Sequence, residues 1–319
     1  MHYTVADEIT WFPDMKIPRR VWLAPLVLAF ALAALLATWL NVAPLGLLNL
    51  LTPSEGSKRV AGLAYGPGPR HKLDIYMPAR AGGKPQPVLL FFYGGNWRAG
   101  ERADYAFVGR TLAARGIVVV VADYRLYPEV SYPVLLDDPA EALAWCLRHI
   151  GGYGGDPQRL FLMGHSAGAY NAAMLALDGR LLARHGVPAT AVRGWIGLAG
   201  PYDFLPVENP AARPVFHYPH TPADSQPINH VSRAAPPALL IAARKDQLVN
   251  PRRNTGGLAY LLRARGVRVN EDYPSWVGHQ TLVASLAAPT HWLAPTLEQV
   301  LHFVATDGER TPAPAAEHN

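Results

Sequence analysis

The stretch Leu160-Phe-Leu-Met-Gly164-His165-Ser166-Ala167-Gly168 constrains this chain more than any other segment. A short apolar run suited to a buried strand leads into Gly-x-Ser-x-Gly, and an alanine-rich run to Leu182, suited to a helix, follows. A serine on so sharp a strand-to-helix turn takes a strained backbone, and the flanking glycines keep neighbouring chain clear of it. Ser166 is therefore expected to project its hydroxyl past the carboxyl end of a strand, at the positive end of the next helix. The plainer alternative is a tight turn without chemistry.

The remaining pattern agrees with such a unit. His71–Met77, Val88–Tyr93, Ile117–Ala122, Arg159–Met163, Trp195–Leu198, Ala238–Ala242 and Val267–Tyr273 read as strands. Between them Asp104–Arg115, Asp138–His149, Ala167–Leu182, Leu258–Arg265 and Pro295–Ala305 read as helices. Ile117–Ala122 is almost entirely valine, the mark of a strand buried on both faces. This alternation predicts an α/β fold with a mostly parallel sheet covered on both sides. Half of the residues are hydrophobic, enough for a sizeable core. The single cysteine, Cys146, excludes an internal disulfide and a thiolate metal cluster. The net charge of +5 is spread with no Lys/Arg block longer than two residues, so nothing argues for nucleic acid.

The amino-terminal region has a different character. No charged residue occurs from Val21 to Ser54, and Val21–Leu40 as a helix would cover a hydrocarbon core of roughly 30 Å. Lys16, Arg19 and Arg20 precede it, which predicts a cytoplasmic leader 1–20, a transmembrane helix 21–41 and an interfacial linker 42–59. A catalytic domain 60–306 would then lie outside the cytoplasm, in the periplasm if the source is bacterial, followed by a mobile tail 307–319. A cleaved signal peptide, which would leave the domain secreted, and a buried soluble helix are the competing readings. Asp7, Glu8 and Asp14 in the leader and the lack of a clean cleavage site favour the anchor.

A serine hydroxyl needs a base that a third group orients. In a strand–elbow–helix arrangement these follow in the order serine, acid, histidine. Asp246 stands just past a strand end and His279 in a loop after the last strand, so these two are expected to complete the set. Asp272 is a weaker acid candidate because it falls within or at the end of a strand, and His291 and His302 fall in helical or near-helical stretches. Tyr93-Gly94-Gly95-Asn96-Trp97 follows another strand. There the amides of Gly95 and Asn96, with that of Ala167, are expected to converge on a developing oxyanion. A plain Gly-Gly turn is the alternative.

Taken together these residues resemble an α/β-hydrolase. The resemblance is to esterases of the hormone-sensitive-lipase, kynurenine-formamidase-like and isoprenylcysteine-methylesterase-like groups. It covers roughly residues 60–305 and also rests on Leu73-Asp-Ile-Tyr-Met-Pro78, Asp123-Tyr-Arg125 and Tyr153-Gly-Gly-Asp156-Pro157. It implies a sheet of about eight strands with a small cap, a Ser166–Asp246–His279 triad and an oxyanion hole at the glycine motif. It implies hydrolysis of a small-molecule carboxylic ester, without cofactor or metal. An arylformamidase-type amidase and a non-catalytic binding module are the alternatives. Tyr93 departs from the pattern, since much of the superfamily has histidine before the two glycines. A prenylated cytosolic protein is not the expected substrate, because an extracytoplasmic domain would not meet one.

Between Gly200 and Pro237 lies a Pro-, His- and aromatic-rich stretch, expected to form a cap over 201–237. Trp97, His165, Tyr202, Phe204, Phe216 and Tyr218 are the candidates for the substrate pocket. His217, His220 and His230 show no fixed metal-ligand spacing and no carboxylate partner, so no metal site is expected.

Overall fold

Four consecutive valines suit a strand whose two faces are both dry, and every residue of Val118–Ala122 is buried. It is the fourth of eight strands in one sheet. The others are β1 (Ser57–Ala64), β2 (Lys72–Pro78), β3 (Gln86–Phe92), β5 (Gly155–His165), β6 (Val192–Leu198), β7 (Ala238–Ile241) and β8 (Val269–Asp272). Their spatial order is β1-β2-β4-β3-β5-β6-β7-β8; β2 pairs antiparallel with both β1 and β4, and every other pair is parallel. The helices among the described residues are α1 (Pro44–Leu51), α2 (Ala106–Ala113), α3 (Asp137–His149), α4 (Ala167–Leu177), α5 (Gly179–Ala183), α6 (Gly257–Ala264), α7 (His279–Ala284) and α8 (Thr296–Ala305).

This computed structural model describes residues 44–80 and 82–308. The expected leader 1–20, the transmembrane helix 21–41 and the tail beyond residue 308 lie outside the described residues. No described helix is long and apolar enough to cross a membrane. The chain divides into two compact units, Met1–Leu47 and Leu48–Asn319, and the site described below belongs to the second. Part of the expected linker 42–59 belongs to that second unit as well. The Asn49 side chain donates to the carbonyls of Ala103 (2.8 Å) and Asp104 (3.1 Å) and accepts from the Phe107 amide (2.8 Å).

Three elements differ from the sequence reading. Strand β1 was not foreseen, because its exposed edge and its bulge between Val60 and Leu63 erase the two-residue alternation. The helix expected over Ala167–Leu182 is interrupted at Asp178, whose carboxylate accepts the Arg180 amide and caps α5. His279 opens helix α7 and does not sit in a loop. The irregular stretch between β6 and β7 carries only two short 3₁₀ turns, Ala223–Ser225 and Pro227–His230.

The chain leaves β3 for β4 on one side and returns to β5 on the other, so a crevice opens beyond the carboxyl ends of β3 and β5. Phe92 pairs with Gly164, which sets the loop after β3 beside Ser166. Two glycines permit this approach. A Cβ at Gly168 would lie 2.0 Å from the Phe92 carbonyl oxygen, and one at Gly164 would lie 2.1 Å from the Gly168 carbonyl oxygen. Gly168→Ala should therefore lower stability by at least about 2 kcal/mol through overpacking. Urea denaturation measures this, and an unchanged midpoint would contradict the contact.

Candidate active site

Ser166 occupies φ 54°, ψ −119°, a backbone region that an L-residue keeps only when its surroundings over-determine it. Here its amide donates to the Leu198 carbonyl at the end of β6 (2.8 Å). Its own carbonyl accepts from Ala169 (2.9 Å) and Tyr170 (3.1 Å) in α4. Strand β6 and helix α4 thus pin the backbone of Ser166.

His279 Nε2 lies 2.8 Å from Ser166 Oγ, and His279 Nδ1 lies 2.7 Å from Asp246 Oδ2. A carboxylate only accepts, so Nδ1 carries the proton and Nε2 presents its lone pair to the serine hydroxyl. Asp246 Oδ1 accepts the amides of Leu248 (2.8 Å) and Val249 (3.0 Å). Burial works against its charge. The bonds from His279 and those two amides outweigh it and hold the carboxyl below the usual carboxylate range.

His165, the residue before Ser166, is buried and donates from Nε2 to the His279 carbonyl (2.9 Å). Burial, reinforced by the neighbouring His279, pushes its pKa down to about 3, so the ring is neutral. The imidazole thus ties the end of β5 to the start of α7. Its Nδ1 has no hydrogen-bond partner among the described residues.

The loop after β3 carries Gly95 at φ 132°, Asn96 at 53° and Trp97 at 57°. A Cβ at Gly95 would meet the Ala99 carbonyl oxygen at 2.2 Å, so only glycine closes this turn. The Gly95 carbonyl accepts from Arg98 (3.0 Å) and Ala99 (3.1 Å). Among the described residues the amides of Gly95, Asn96 and Ala167 donate to no other group. Tyr93 is buried beneath this loop. Its hydroxyl accepts from Arg70 (2.7 Å) and its ring stacks on Tyr124 at 4.6 Å.

A cavity of about 120 Å³ adjoins Ser166, with Asn96, Trp97 and Ala167 in its lining. Phe204, Val207, Ala212 and Leu248 make its apolar side. Asn209, Asn250, Asn254 and the Arg253–Asp203 ion pair (3.0 Å) make its polar side. Of the six pocket candidates, only Trp97 and Phe204 line it. Tyr202 is fully buried edge-on against Trp195 (5.9 Å), and Phe216 stands behind the wall, edge-on to Trp97 at 4.7 Å. Tyr218 lies under the Arg213 guanidinium, 4.6 Å away, and His165 supports His279. Most of these aromatics build the segment's own packing. Val207, Glu208, Asn209, Leu248, Asn250 and Arg253 were not singled out in the sequence, where no periodicity or motif marks them.

The expectation that His230 lacks carboxylate neighbours is corrected. Ligand atoms of Asp178, Asp224 and His230 lie within 4.8 Å of one another. The guanidinium of Arg180 already donates to both carboxylates (2.7 and 3.0 Å), so an internal cation meets their charge. His217 donates to the Tyr132 carbonyl (2.6 Å).

The comparisons with known proteins agree with this architecture. A probable isoprenylcysteine α-carbonyl methylesterase of Oryza sativa subsp. japonica is 38% identical over 143 residues, 44% of this chain and 34% of its own length. Esterase LipC of Mycobacterium tuberculosis is 32% identical over 206 residues, 58% of this chain and 50% of its own length. The chain thus spans between a third and a half of the length of these curated relatives. The crystal structure of Esterase B from Lactobacillus rhamnosus superposes with a TM-score of 0.70 at 20% identity, covering 86% of this chain and 93% of that one. That likeness shows the fold, an α/β-hydrolase. With residues 73–256 matching the BD-FAE family, the chain belongs to that family.

Proposed function

We propose that this chain is a serine hydrolase of carboxylic esters that works through an acyl-enzyme on Ser166. One observation carries the reading: a hydrogen-bonded relay runs from Ser166 Oγ through His279 to the buried Asp246 carboxylate. The esterase names of the relatives support the acyl chemistry.

In the first half-reaction His279 Nε2 takes the Ser166 proton as Oγ bonds to the ester carbonyl carbon. The carbonyl electron pair moves onto oxygen, which the Gly95, Asn96 and Ala167 amides receive. Collapse expels the alcohol, which leaves with the proton from His279. Water then repeats the sequence in reverse roles, giving the acid and free Ser166. Asp246 keeps the imidazole in the tautomer with Nδ1 protonated and stabilises the imidazolium that forms.

The small cavity, part apolar and part amide-lined, favours a short acyl group over a long fatty chain. The uncharged run Val21–Ser54 supports a tether to a membrane through residues 21–41, with the catalytic unit outside the cytoplasm.

A fluorophosphonate probe should label the wild type on Ser166 and leave Ser166→Ala unlabelled. Wild-type protein that is folded yet unlabelled would favour a binding module. Turnover of p-nitrophenyl butyrate should fall about 10⁶-fold in Ser166→Ala and about 10⁴-fold in Asp246→Asn. Across a chain-length panel, kcat/KM should drop on the order of tenfold between butyrate and decanoate. A rise toward decanoate would reject the assignment of the cavity as the acyl site.

A further inference from the structure

We infer that Asn209, in the segment between β6 and β7, is a positioning residue that holds the loop after β3 in shape for the oxyanion. This rests on the acyl-transfer reading of Ser166.

Asn96 and Trp97 adopt consecutive left-handed backbones, φ 53° and 57°, although neither is glycine. Asparagine tolerates that region better than most residues and tryptophan poorly, so surrounding contacts must keep the pair in place. Trp97 is well held. Its indole Nε1 donates to Asn171 Oδ1 (3.2 Å), its carbonyl accepts from Tyr127 (2.8 Å) and its ring meets Phe216 and Tyr170 edge-on. For the Asn96 side chain the hydrogen bond seen is from Asn209 Nδ2 to Asn96 Oδ1, 2.8 Å.

Asn209 is itself well placed to act as an anchor. Its Oδ1 accepts the Ala211 amide (3.0 Å), and its carbonyl accepts from Ala212 (3.0 Å) and Arg213 (3.2 Å). The same turn carries on to Phe216, whose amide donates to the Ala212 carbonyl (3.1 Å). One turn therefore touches both left-handed residues, through Asn209 on Asn96 and through Phe216 on Trp97. The Asn96 backbone conformation sets where its amide points, and Asn96 shares the cavity wall with Ser166 and Ala167. Loss of the side-chain clasp frees that amide to turn away, which weakens binding of the oxyanion more than binding of the ester ground state.

The test compares substitutions at position 209 in the full chain with p-nitrophenyl butyrate. A serine at 209 can still accept the Ala211 amide but is too short to reach Asn96. Asn209→Ser should therefore lower kcat about tenfold while KM stays within about twofold. An aspartate keeps the Ala211 bond and can accept from the Asn96 carboxamide once that group is reversed, so Asn209→Asp should restore kcat to within about threefold of wild type. Combined with Asn96→Gly, which reaches the left-handed region without strain, Asn209→Ser should cost nothing further in kcat. Wild-type kcat in Asn209→Ser, or a loss that appears in KM for both single variants, overturns the inference. If Asn209→Ser fails to fold, Asn209→Asp and Asn209→Glu carry the same comparison. Only the shorter acid should keep kcat, and equal values would refute the clasp. A wild type that neither turns over the ester nor takes the fluorophosphonate label removes the acyl-transfer reading, and this inference with it. An active wild type matched by Asn209→Ser removes the inference alone.

Discussion

Gly168 packs so near the Phe92 carbonyl that a Cβ there would lie 2.0 Å from its oxygen, and the site depends on this approach. It lets α4 seat directly over the end of β3, so that the elbow of β5 and the loop after β3 share one crevice. Without it Ser166 and the Gly95–Trp97 amides would be separated by at least a side chain. The left-handed backbone of Ser166 is the local cost of that seating. The Leu198 carbonyl and the first turn of α4 meet this cost with hydrogen bonds to elements that are buried for other reasons.

Two further segments must be brought to the same place, and each arrives by a different physical route. Asp246 comes five residues after β7 and is fixed by amides of its own turn, which also keep it charged although it is buried. His279 comes seven residues after β8 and has no such turn to itself. It is held by Asp246 on the ring and by His165 on the main chain. The family match over 73–256 includes Ser166 and Asp246 and ends before His279, so these two bonds join the matched region to the helix that carries His279. A neutral His165 suits this role. A charged imidazole beside His279 would oppose any positive charge on that ring, and burial removes that charge.

The sequence was legible where a residue's place in the fold follows from its local neighbours or from chain order. Gly164, Ser166 and Gly168 announce an elbow by spacing, Val118–Ala122 announces a doubly buried strand, and Asp246 and His279 follow from chain order. It was not legible where contacts are distant and unpatterned. Strand β1 pairs at a bulged edge with only partial burial, so no alternation marks it. The segment between β6 and β7 misled in a more instructive way. Its aromatics looked like pocket residues by composition, yet Tyr202 and Phe216 are the most buried of them and face other aromatics. A large ring in an irregular segment gains more by anchoring that segment than by standing in a solvent-filled mouth.

That exchange of roles explains the character of the cavity. Once the large rings are used to hold the segment down, smaller and polar residues are left to face Ser166: Val207, Ala212, Asn209, Asn250 and Asn254. Side-chain amides offer directional hydrogen bonds, while the Trp97 and Phe204 rings, tilted against each other at 6.4 Å, give the cavity an aromatic side. The wall is also continuous with the loop after β3, because Trp97 packs against Phe216 while Asn96 bonds to Asn209. Shape and chemistry are therefore coupled here. A substitution that repacks the segment to enlarge the cavity also disturbs the loop that carries the Gly95 and Asn96 amides, so the size of the cavity and the shape of that loop cannot change independently.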